Sequence, residues 1–521
     1  MQSNYFNEDH EIFRKSVREF MQNEVIPFAN QWEEEKQIPK SIWRKMGDLG
    51  FLGINFQEKY GGINADFFYS VVFLEEIGRC ALAGFTAAVL VQQYMATVHI
   101  NKIGSELLKE KYLVPSITGK KIGALAITEP NAGSDVASLS SYATRKGNNY
   151  IINGSKTFIT NGVTGDFITL AVKTDIEKGM DGISLIVVDA DAPGITTNKL
   201  DKMGMHCSDT GELFFDNVKV PASNLIGQEN MGFYYLMESF QLERLVAAIS
   251  SISTAEFCIE ETLKYILVRK AFNKSISKFQ VIRHTLAQRA TELEAAKQLT
   301  YNTAQLYEEG KQAVKECSMV KLLATELSKN TVDSCLQFFG GNGYMEEYLI
   351  SRMYRDARVS TIVGGTSEIM REIIAKIMID QVKYDSVYGN TNIDKNNDLQ
   401  GNSQNSERNK KPKPITVSEL FKTLPERLRQ DKIGNWESNI HFDISGDDGG
   451  KFTVNVENGV CTVKDGLFGE PKCIVKTKAK TYLKIESGKT NSQTAFMLGK
   501  IKVSNIAEMM QYTKMFRKIS T

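Results

Sequence analysis

Two stretches of this chain combine residues suited to acid–base chemistry with backbone suited to close approach of a ligand. In LMESFQLERLVAAIS, residues 236–250, Leu236, Phe240, Glu243 and Ala247 fall at i, i+4, i+7 and i+11. They therefore share one stripe of a helix, apolar except for Glu243. A carboxylate on an apolar face is costly unless paired, and desolvation raises its pKa. The adjacent Arg244 lies about 100° away around the helix and need not be the partner. Glu243 is either a surface or ion-paired carboxylate, or a general base poised near neutral pH. In TIVGGTSEIM, residues 361–370, Gly364 and Gly365 precede an apolar helical run of Ile369, Ile373, Ile374, Ile377 and Met378. The glycines serve a tight turn, or they bring backbone N–H groups at a helix start up to an anion.

Three further stretches carry polar or flexible groups. ITEPNAGSDVASL, residues 127–139, can present main-chain N–H and small hydroxyls to a heterocycle or phosphate; it is otherwise a plain loop. In KTFITNG, residues 156–162, a regular pleat places Phe158 and Thr160 on one face, as ligand contacts or as part of a half-buried strand. QFFGGNGYMEEY, residues 337–348, has G-G-x-G after a helix, which does not support a dinucleotide-binding strand–turn–helix.

The elements that must position these residues follow from periodicity. Residues 1–120 read as a helical domain, with Ile12, Val17, Phe20, Val25 and Phe28 near helical spacing, a loop at KYGGINAD and a helix at FFYSVVFLEEIGR. Residues 121–228 read as a central β domain: GALAIT, YIING, KTFITNG, DFITLAV, GISLIVVDA and ELFFDNVKV, with Asn153-Gly154 and Asn161-Gly162 as turns between strands. Residues 229–385 return to long amphipathic helices. The polar, Asn-rich stretch 386–414 reads as a flexible linker. Residues 415–521 form a small α/β domain. Its helix is SELFKTLPERLRQ and its antiparallel strands are HFDIS, KFTVNVENGVCTVKDG and KCIVKTKA, with Asn458-Gly459 as a hairpin turn. Helices follow at TYLKIESG and NIAEMMQYTKMFRK. The fold class is multidomain α+β.

Composition narrows the function. The chain has 521 residues, 42% hydrophobic and 24% charged, with a net charge of +1, so nothing points to nucleic acid. Seven scattered cysteines and five scattered histidines favour free thiols in a reducing compartment over disulfides or a metal site. MQSNYFNEDHEIF does not read as a signal peptide, and no run approaches a membrane span. A cytoplasmic protein is expected.

The ordered set ITEPNAGSD, KTFITNG, VRKAFNKSISKFQ, QFFGGNGYMEEY, YRDAR and GGTSEI, over about residues 5–385, resembles the acyl-CoA dehydrogenases. The resemblance implies a helical domain, a β domain and a four-helix domain, with FAD lying between subunits of a homotetramer or homodimer. It implies that Thr128 meets the flavin pyrimidine, Phe158 flanks the ring and Thr160 meets the N5 region. Arg269, Phe272 and Gln280 reach a neighbouring subunit's cofactor, Gln337, Gly340 and Gly341 form the far end of the FAD site, and Thr366 and Glu368 hold the adenosine half. Leu125, Ala126, Gly133, Ser134 and Ile159 complete the cofactor set. Ser134, Tyr234, Gln241, Leu242, Arg244 and Gly365 belong to the acyl-CoA site. Most relatives place the catalytic glutamate where this chain has Gly364; long-chain and isovaleryl types carry it on the E-R-L helix, here Glu243. The two positions look like a matched exchange, and the Gly364 N–H is retained.

The implied activity is oxidation of an acyl-CoA, long-chain or branched, to a trans-2-enoyl-CoA. Glu243 is the α-proton base, hydride leaves to flavin N5, and electrons pass to an electron-transferring flavoprotein. An acyl-CoA oxidase, or a lipid-binding protein with an inactive dehydrogenase half, are the alternatives. Residues 415–521 resemble the sterol-carrier-protein fold, which implies a fatty acyl or sterol-like ligand. Met509, Met510, Met515 and Phe516 would line its tunnel or else form its core.

Overall fold

A capping box starts the first helix: the Asn7 side chain accepts from the His10 N–H, and the His10 ring accepts from the Asn7 N–H. Helix α1, Glu8–Phe20, runs on through a π turn, Met21–Val25, and a tight turn, Ile26–Phe28, into α2, Ala29–Glu35. Val17, Phe20 and Val25 are buried as anticipated, but Ile12 is 65% and Phe28 43% exposed. The buried side passes through His10, Val17 and Phe20, and Ile12 lies about 200° around the helix from His10. Phe28 lies in the tight turn Ile26–Phe28, where the winding departs from the α-helical period that the spacing assumed.

The structure, a computed structural model, describes residues 5–381, 416–430, 432–434, 436–487, 492–497 and 499–517. The stretch 386–414, read as a linker, lies outside the described residues. The chain divides into two units, 1–374 and 375–521. In the first, α1 and α2 are followed by α3 (Lys40–Asp48), α4 (Phe67–Gly78), α5 (Ala83–Val91), α6 (Thr97–Ile103), α7 (Glu106–Leu108) and α8 (Val114–Ile117). Arg14 and Arg18 on α1 pair with the buried Glu75 and Glu76 on α4, at 2.6 and 2.7 Å.

Eight strands form one sheet: β1 (Gly123–Ala126), β2 (Tyr142–Lys146), β3 (Asn149–Thr160), β4 (Phe167–Lys173), β5 (Ile183–Asp189), β6 (Ile195–Lys199), β7 (Thr210–Pro221) and β8 (Leu225–Ile226). Their order is β6-β7-β3-β2-β4-β5-β8, with β1 parallel to β4. The Asn153-Gly154 pair does not separate two strands. It lies inside β3, where the register against β7 slips between Ile152 and Gly154, so the dipeptide marks a β-bulge. Gly154 has φ +138, and a Cβ there would stand 2.3 Å from the Ser141 hydroxyl. Asn161-Gly162 does form a turn, with Asn161 at φ 60.

Helices α9 (Gly232–Val268), α10 (Gln280–Glu308), α11 (Val314–Phe339), α12 (Leu349–Ala357) and α13 (Ser367–Gln381) follow, with a two-stranded ribbon, β9 (Lys270–Ala271) and β10 (Lys274–Ser275), after α9. Buried residues of α9 to α12 and of the N-terminal helices join in one hydrophobic cluster, and the sheet has its own.

The second unit contains α14 (Val417–Lys422), α15 (Leu424–Arg427), β11 (Ser438–Ser445), β12 (Gly450–Glu457), β13 (Val460–Asp465), β14 (Cys473–Lys478), α16 (Ala479–Glu486), α17 (Ser492–Met497), β15 (Ile501–Val503) and α18 (Ile506–Met515). SELFKTLPERLRQ gives two short helices, because Pro425, in the first turn of α15, has no N–H to donate to the Phe421 carbonyl and so cannot continue α14. The sheet, ordered β13-β12-β11-β14-β15, is mixed and not antiparallel: β14 lies on the far side of β11 and runs parallel to it. Asn458 and Gly459, at φ 49 and 75, make the hairpin turn between β12 and β13. Phe421 stacks on Phe452 and Tyr482 in the core, with ring centroids 4.1 and 5.3 Å away. Met515 and Phe516 belong to that core and Met509 packs against it. Among the described residues, no helix is long and apolar enough to cross a membrane.

Gly154→Ala should destabilise the first unit by roughly 1–3 kcal/mol, because an L-residue is strained at this φ. A thermal or urea midpoint equal to the parent's would show that the bulge tolerates a side chain.

Candidate functional site

Helix α9 extends for 37 residues and carries Glu243 into the interior. Its start is pressed against β5: a Cβ on Gly232 would lie 2.7–3.0 Å from Ser184 and Ile183 main-chain atoms. Glu243 is 7% exposed, and its Oε1 has no hydrogen-bond partner among the described residues. Burial pushes this carboxyl up to about 7, opposed by the Arg244 charge. Arg244 is also buried, and its guanidinium is directed elsewhere. It lies 5.8 Å from the Phe240 ring centroid and donates a long 3.4 Å hydrogen bond to Ser318 Oγ on α11. The apolar stripe read from the sequence is present, with Leu236 fully buried and Phe240 and Ala247 half-buried.

The double glycine forms the turn before α13. Gly364 and Gly365 have φ 65 and 93, a conformation that favours glycine at both positions. A Cβ on Gly364 would meet nothing within 4 Å, whereas one on Gly365 would stand 2.6 Å from Met370 Cε. The Thr366 hydroxyl accepts from the Ile369 N–H at 3.2 Å and caps the helix start. The exposed Glu368 is held below the usual carboxylate range by its own N–H and by Thr366. Lys321 on α11, fully buried, donates to the carbonyls of Gly365 at 2.6 Å and Ser360 at 3.0 Å. Burial brings its amine down to about 8. Lys321 is not singled out by the sequence, because its stripe neighbours are small or polar and do not read as an apolar face. Cys317, Ala324 and Ser328, at i−4, i+3 and i+7, make it the lone charge on a buried stripe.

A second cluster joins the loop after β1 to the end of β3. The Thr157 N–H donates to Thr128 O at 2.9 Å, and the Thr128 hydroxyl donates to Thr157 O at 2.5 Å. Thr128 Oγ1 is thus left with acceptor capacity only. Lys156, fully buried, donates to Glu129 at 2.8 Å and to Ile127 O at 2.9 Å. Against the effect of burial, Lys156 and Ser140 hold the Glu129 carboxyl down at about 2. Within this frame β3 slips register between Lys156 and Ile159, and Phe158 takes φ 60. The regular pleat assumed for KTFITNG is therefore broken at Phe158, whose ring is 71% exposed beside a half-buried Thr160. Ser134 is exposed, and a Cβ on Gly133 would meet nothing within 4 Å. Ala126 and Ile159 belong to the sheet core, and Leu125 is half-buried.

The remaining cofactor residues lie just after α9, at the start of α10 and around the end of α11. Arg269 and Gln280 are exposed, as is Phe272, at 88% and with φ 51. Gln337 is exposed on the last turn of α11, and Cβ atoms on Gly340 and Gly341 would meet open space. Tyr265 stacks on Phe339 at 4.0 Å and ties these ends together. A cavity of about 780 Å³ beside the pair is lined by Arg269, Asn342 and Tyr348 among others. Two residues read as substrate contacts have local partners: Tyr234 donates to Asp181 at 2.8 Å, and Gln241 Oε1 accepts from the Ala313 N–H at 3.0 Å. Leu242 is buried next to them in sequence.

Three consecutive family models cover the first unit: acyl-CoA dehydrogenase N-terminal domain over residues 7–120, middle domain over 124–218 and C-terminal domain over 230–379. The long-chain specific mitochondrial acyl-CoA dehydrogenase of Rattus norvegicus is 42% identical over 380 residues, 72% of this chain and 87% of that protein. The chain belongs to the acyl-CoA dehydrogenase family. An acyl-CoA dehydrogenase from Geobacillus kaustophilus superposes with a TM-score of 0.70 at 45% identity, covering 72% of this chain and all of that one. The caffeyl-CoA reductase–Etf complex subunit of Acetobacterium woodii is 39% identical over 378 residues, 72% of this chain and 99% of that protein. Residues 418–517 match the SCP-2 sterol transfer family. This acyl-CoA dehydrogenase is thus an oxidoreductase with a sterol-carrier-type domain at its C-terminal end.

Glu243 titrates at about 7 when folded and near 4.3 when unfolded. Between these values the folded state keeps a proton that the unfolded state has lost. The group's contribution to stability is therefore present below about pH 4 and is lost as pH rises through 7. Glu243→Gln should consequently raise stability relative to the parent at pH 8, by up to roughly 3 kcal/mol, with little difference at pH 4. Thermal melts at the two pH values check this; a pH-independent difference would place the Glu243 carboxyl in contact with solvent.

Proposed function

We propose that this acyl-CoA dehydrogenase uses Glu243 as the base that removes the α-proton of an acyl thioester, a long-chain or branched acyl-CoA giving a trans-2-enoyl-CoA. The observation that carries the reading is a buried carboxyl with one oxygen unpartnered among the described residues and a pKa raised by burial to about 7, in a chain whose Gly364 has no side chain to serve instead. A base whose pKa lies near the working pH combines an available carboxylate with useful proton affinity. The apolar surround keeps water from the carboxyl. The Gly364 N–H donates to the thioester oxygen, where negative charge develops as the α-proton leaves.

FAD is the proposed cofactor, and the residues fit it. The exposed Phe158 ring on strained backbone, the acceptor-only Thr128 hydroxyl, the exposed Arg269 and the open approach to Gly133, Gly340 and Gly341 together suit a flat heterocycle joined to a pyrophosphate. Thr128, Ser134, Phe158 and Thr160 would hold the flavin. Arg269, Phe272, Gln280, Gln337, Gly340 and Gly341 would hold the rest across a subunit interface of a homotetramer or homodimer, with Thr366 and Glu368 at the adenosine half. When bound, FAD supplies the acceptor for the β-hydrogen and its electron pair. An electron-transferring flavoprotein is the proposed onward acceptor, a reading supported by the Etf complex named for the Acetobacterium relative. The SCP-2-type domain would hold a fatty acyl or sterol-like ligand.

Anaerobic mixing with a panel of acyl-CoA thioesters tests this function. The parent should bleach its flavin fastest with long or branched chains, and Glu243→Gln should retain FAD but reduce it ~10²–10⁴-fold more slowly. Near-normal bleaching by Glu243→Gln would reject the base assignment. A chain ending at Lys411 should match the full chain on short thioesters and turn over more slowly only at low concentrations of long ones. Identical behaviour at every length would remove a role for the SCP-2-type domain in substrate supply.

A further inference from the structure

The base and the proposed oxyanion donor stand on different elements. Glu243 is on α9, and Gly364 is in the turn before α13. Where a family member carries its glutamate within that turn, base and donor share one stretch of backbone and keep their spacing by covalent connection. Here the spacing has to come from a third element.

The turn does little to hold itself. Both glycines have positive φ, the Gly364 Cα has no close neighbour on its Cβ side, and Ile362 and Val363 are 49% and 52% exposed. Its anchor is Lys321, which donates to Ser360 before the turn and to Gly365 within it, and so brackets the segment from both ends. Among the described residues the Lys321 amine has no carboxylate within ion-pair distance. A buried charge bonded only to main-chain carbonyls is weak evidence of added stability, since an apolar side chain of similar volume often packs as well. Its value lies in fixing geometry. Ser318, three residues earlier on the same helix, receives the hydrogen bond from Arg244, the neighbour of Glu243. One face of α11 therefore touches the Glu243 helix and the glycine turn together.

We propose that Lys321 is a positioning residue for proton abstraction: it pins the Gly364–Gly365 turn, and Ser318 on the same face of α11 keeps that turn in register with the helix bearing Glu243. The inference rests on the reading of Glu243 as base and of the Gly364 N–H as donor.

The test uses the full-length holoenzyme with Lys321→Met and Lys321→Arg. Two quantities are read: the limiting rate of anaerobic flavin reduction, and the carbonyl stretch of a bound ¹³C-labelled acyl-CoA analogue that lacks β-hydrogens. Lys321→Met should keep its FAD and a KM within about threefold of the parent's, and lose roughly 10- to 100-fold in limiting rate, as small misplacements at a reacting centre do. Its bound carbonyl stretch should move back towards the free value. Lys321→Arg, which retains donors, should recover most of both. If Lys321→Met does not fold, Lys321→Gln, with a shorter donor, is read in the same way. A parent-like stretch and rate in the Met or Gln variant would overturn the proposal. So would a loss of activity that only tracks loss of FAD or of folded protein. Failure of the Glu243 reading gives a different pattern: Glu243→Gln stays active while Lys321→Met still loses the carbonyl shift.

Discussion

Burying Glu243 among apolar groups, with no partner among the described residues for one of its oxygens, is the constraint around which the first unit is arranged. Such a group costs free energy unless it is protonated, so the fold keeps a proton acceptor in reserve that an exposed carboxylate could not provide. Its position requires a helix long enough to start against the sheet and pass through the hydrophobic core, and α9 is such a helix. Arg244 is close enough to moderate the pKa, but its hydrogen bond goes to Ser318, so the carboxyl is not locked into a salt bridge. A direct ion pair would favour the charged form and lower the pKa away from neutrality.

Two buried lysines share a second device. Lys156, two residues before the positive-φ Phe158, donates to the Ile127 carbonyl of a distant loop, and Lys321 donates to the carbonyl of Gly365, itself one of the positive-φ glycines. Both segments deviate from regular secondary structure where exposed backbone or an exposed ring is available to a ligand. At Phe158, which is not a glycine, strain of this kind persists only where surrounding bonds over-determine it, whereas the two glycines adopt positive φ without steric cost. Lys156 has Glu129 as counter-charge, whereas Lys321 has no carboxylate partner among the described residues.

Much of this arrangement was legible in the sequence. The Glu243 stripe, the glycine pair before α13 and the Asn458-Gly459 hairpin depend on local periodicity or on backbone freedom, which neighbouring residues report. Other features depend on contacts far along the chain. Asn153-Gly154 carries the same dipeptide as a hairpin turn, but Ser141 and the β7 register make it a bulge inside β3. Phe158 left the regular pleat because Lys156 and Thr157 are tied to a loop nearly thirty residues earlier. The parallel pairing of β14 with β11 has no local signature, since both strands alternate as antiparallel ones do. Lys321 differs from a surface lysine only in the burial of its helix neighbours.

The most direct test is the exchange of the α-proton of a bound acyl-CoA that lacks β-hydrogens, followed by NMR in deuterated buffer across pH 5–9. With Glu243 as base, exchange should rise with a single ionisation near pH 7, the value to which burial brings this carboxyl, and should disappear in Glu243→Gln while the ligand stays bound. Exchange that persists in Glu243→Gln with the same pH profile would contradict a base on α9.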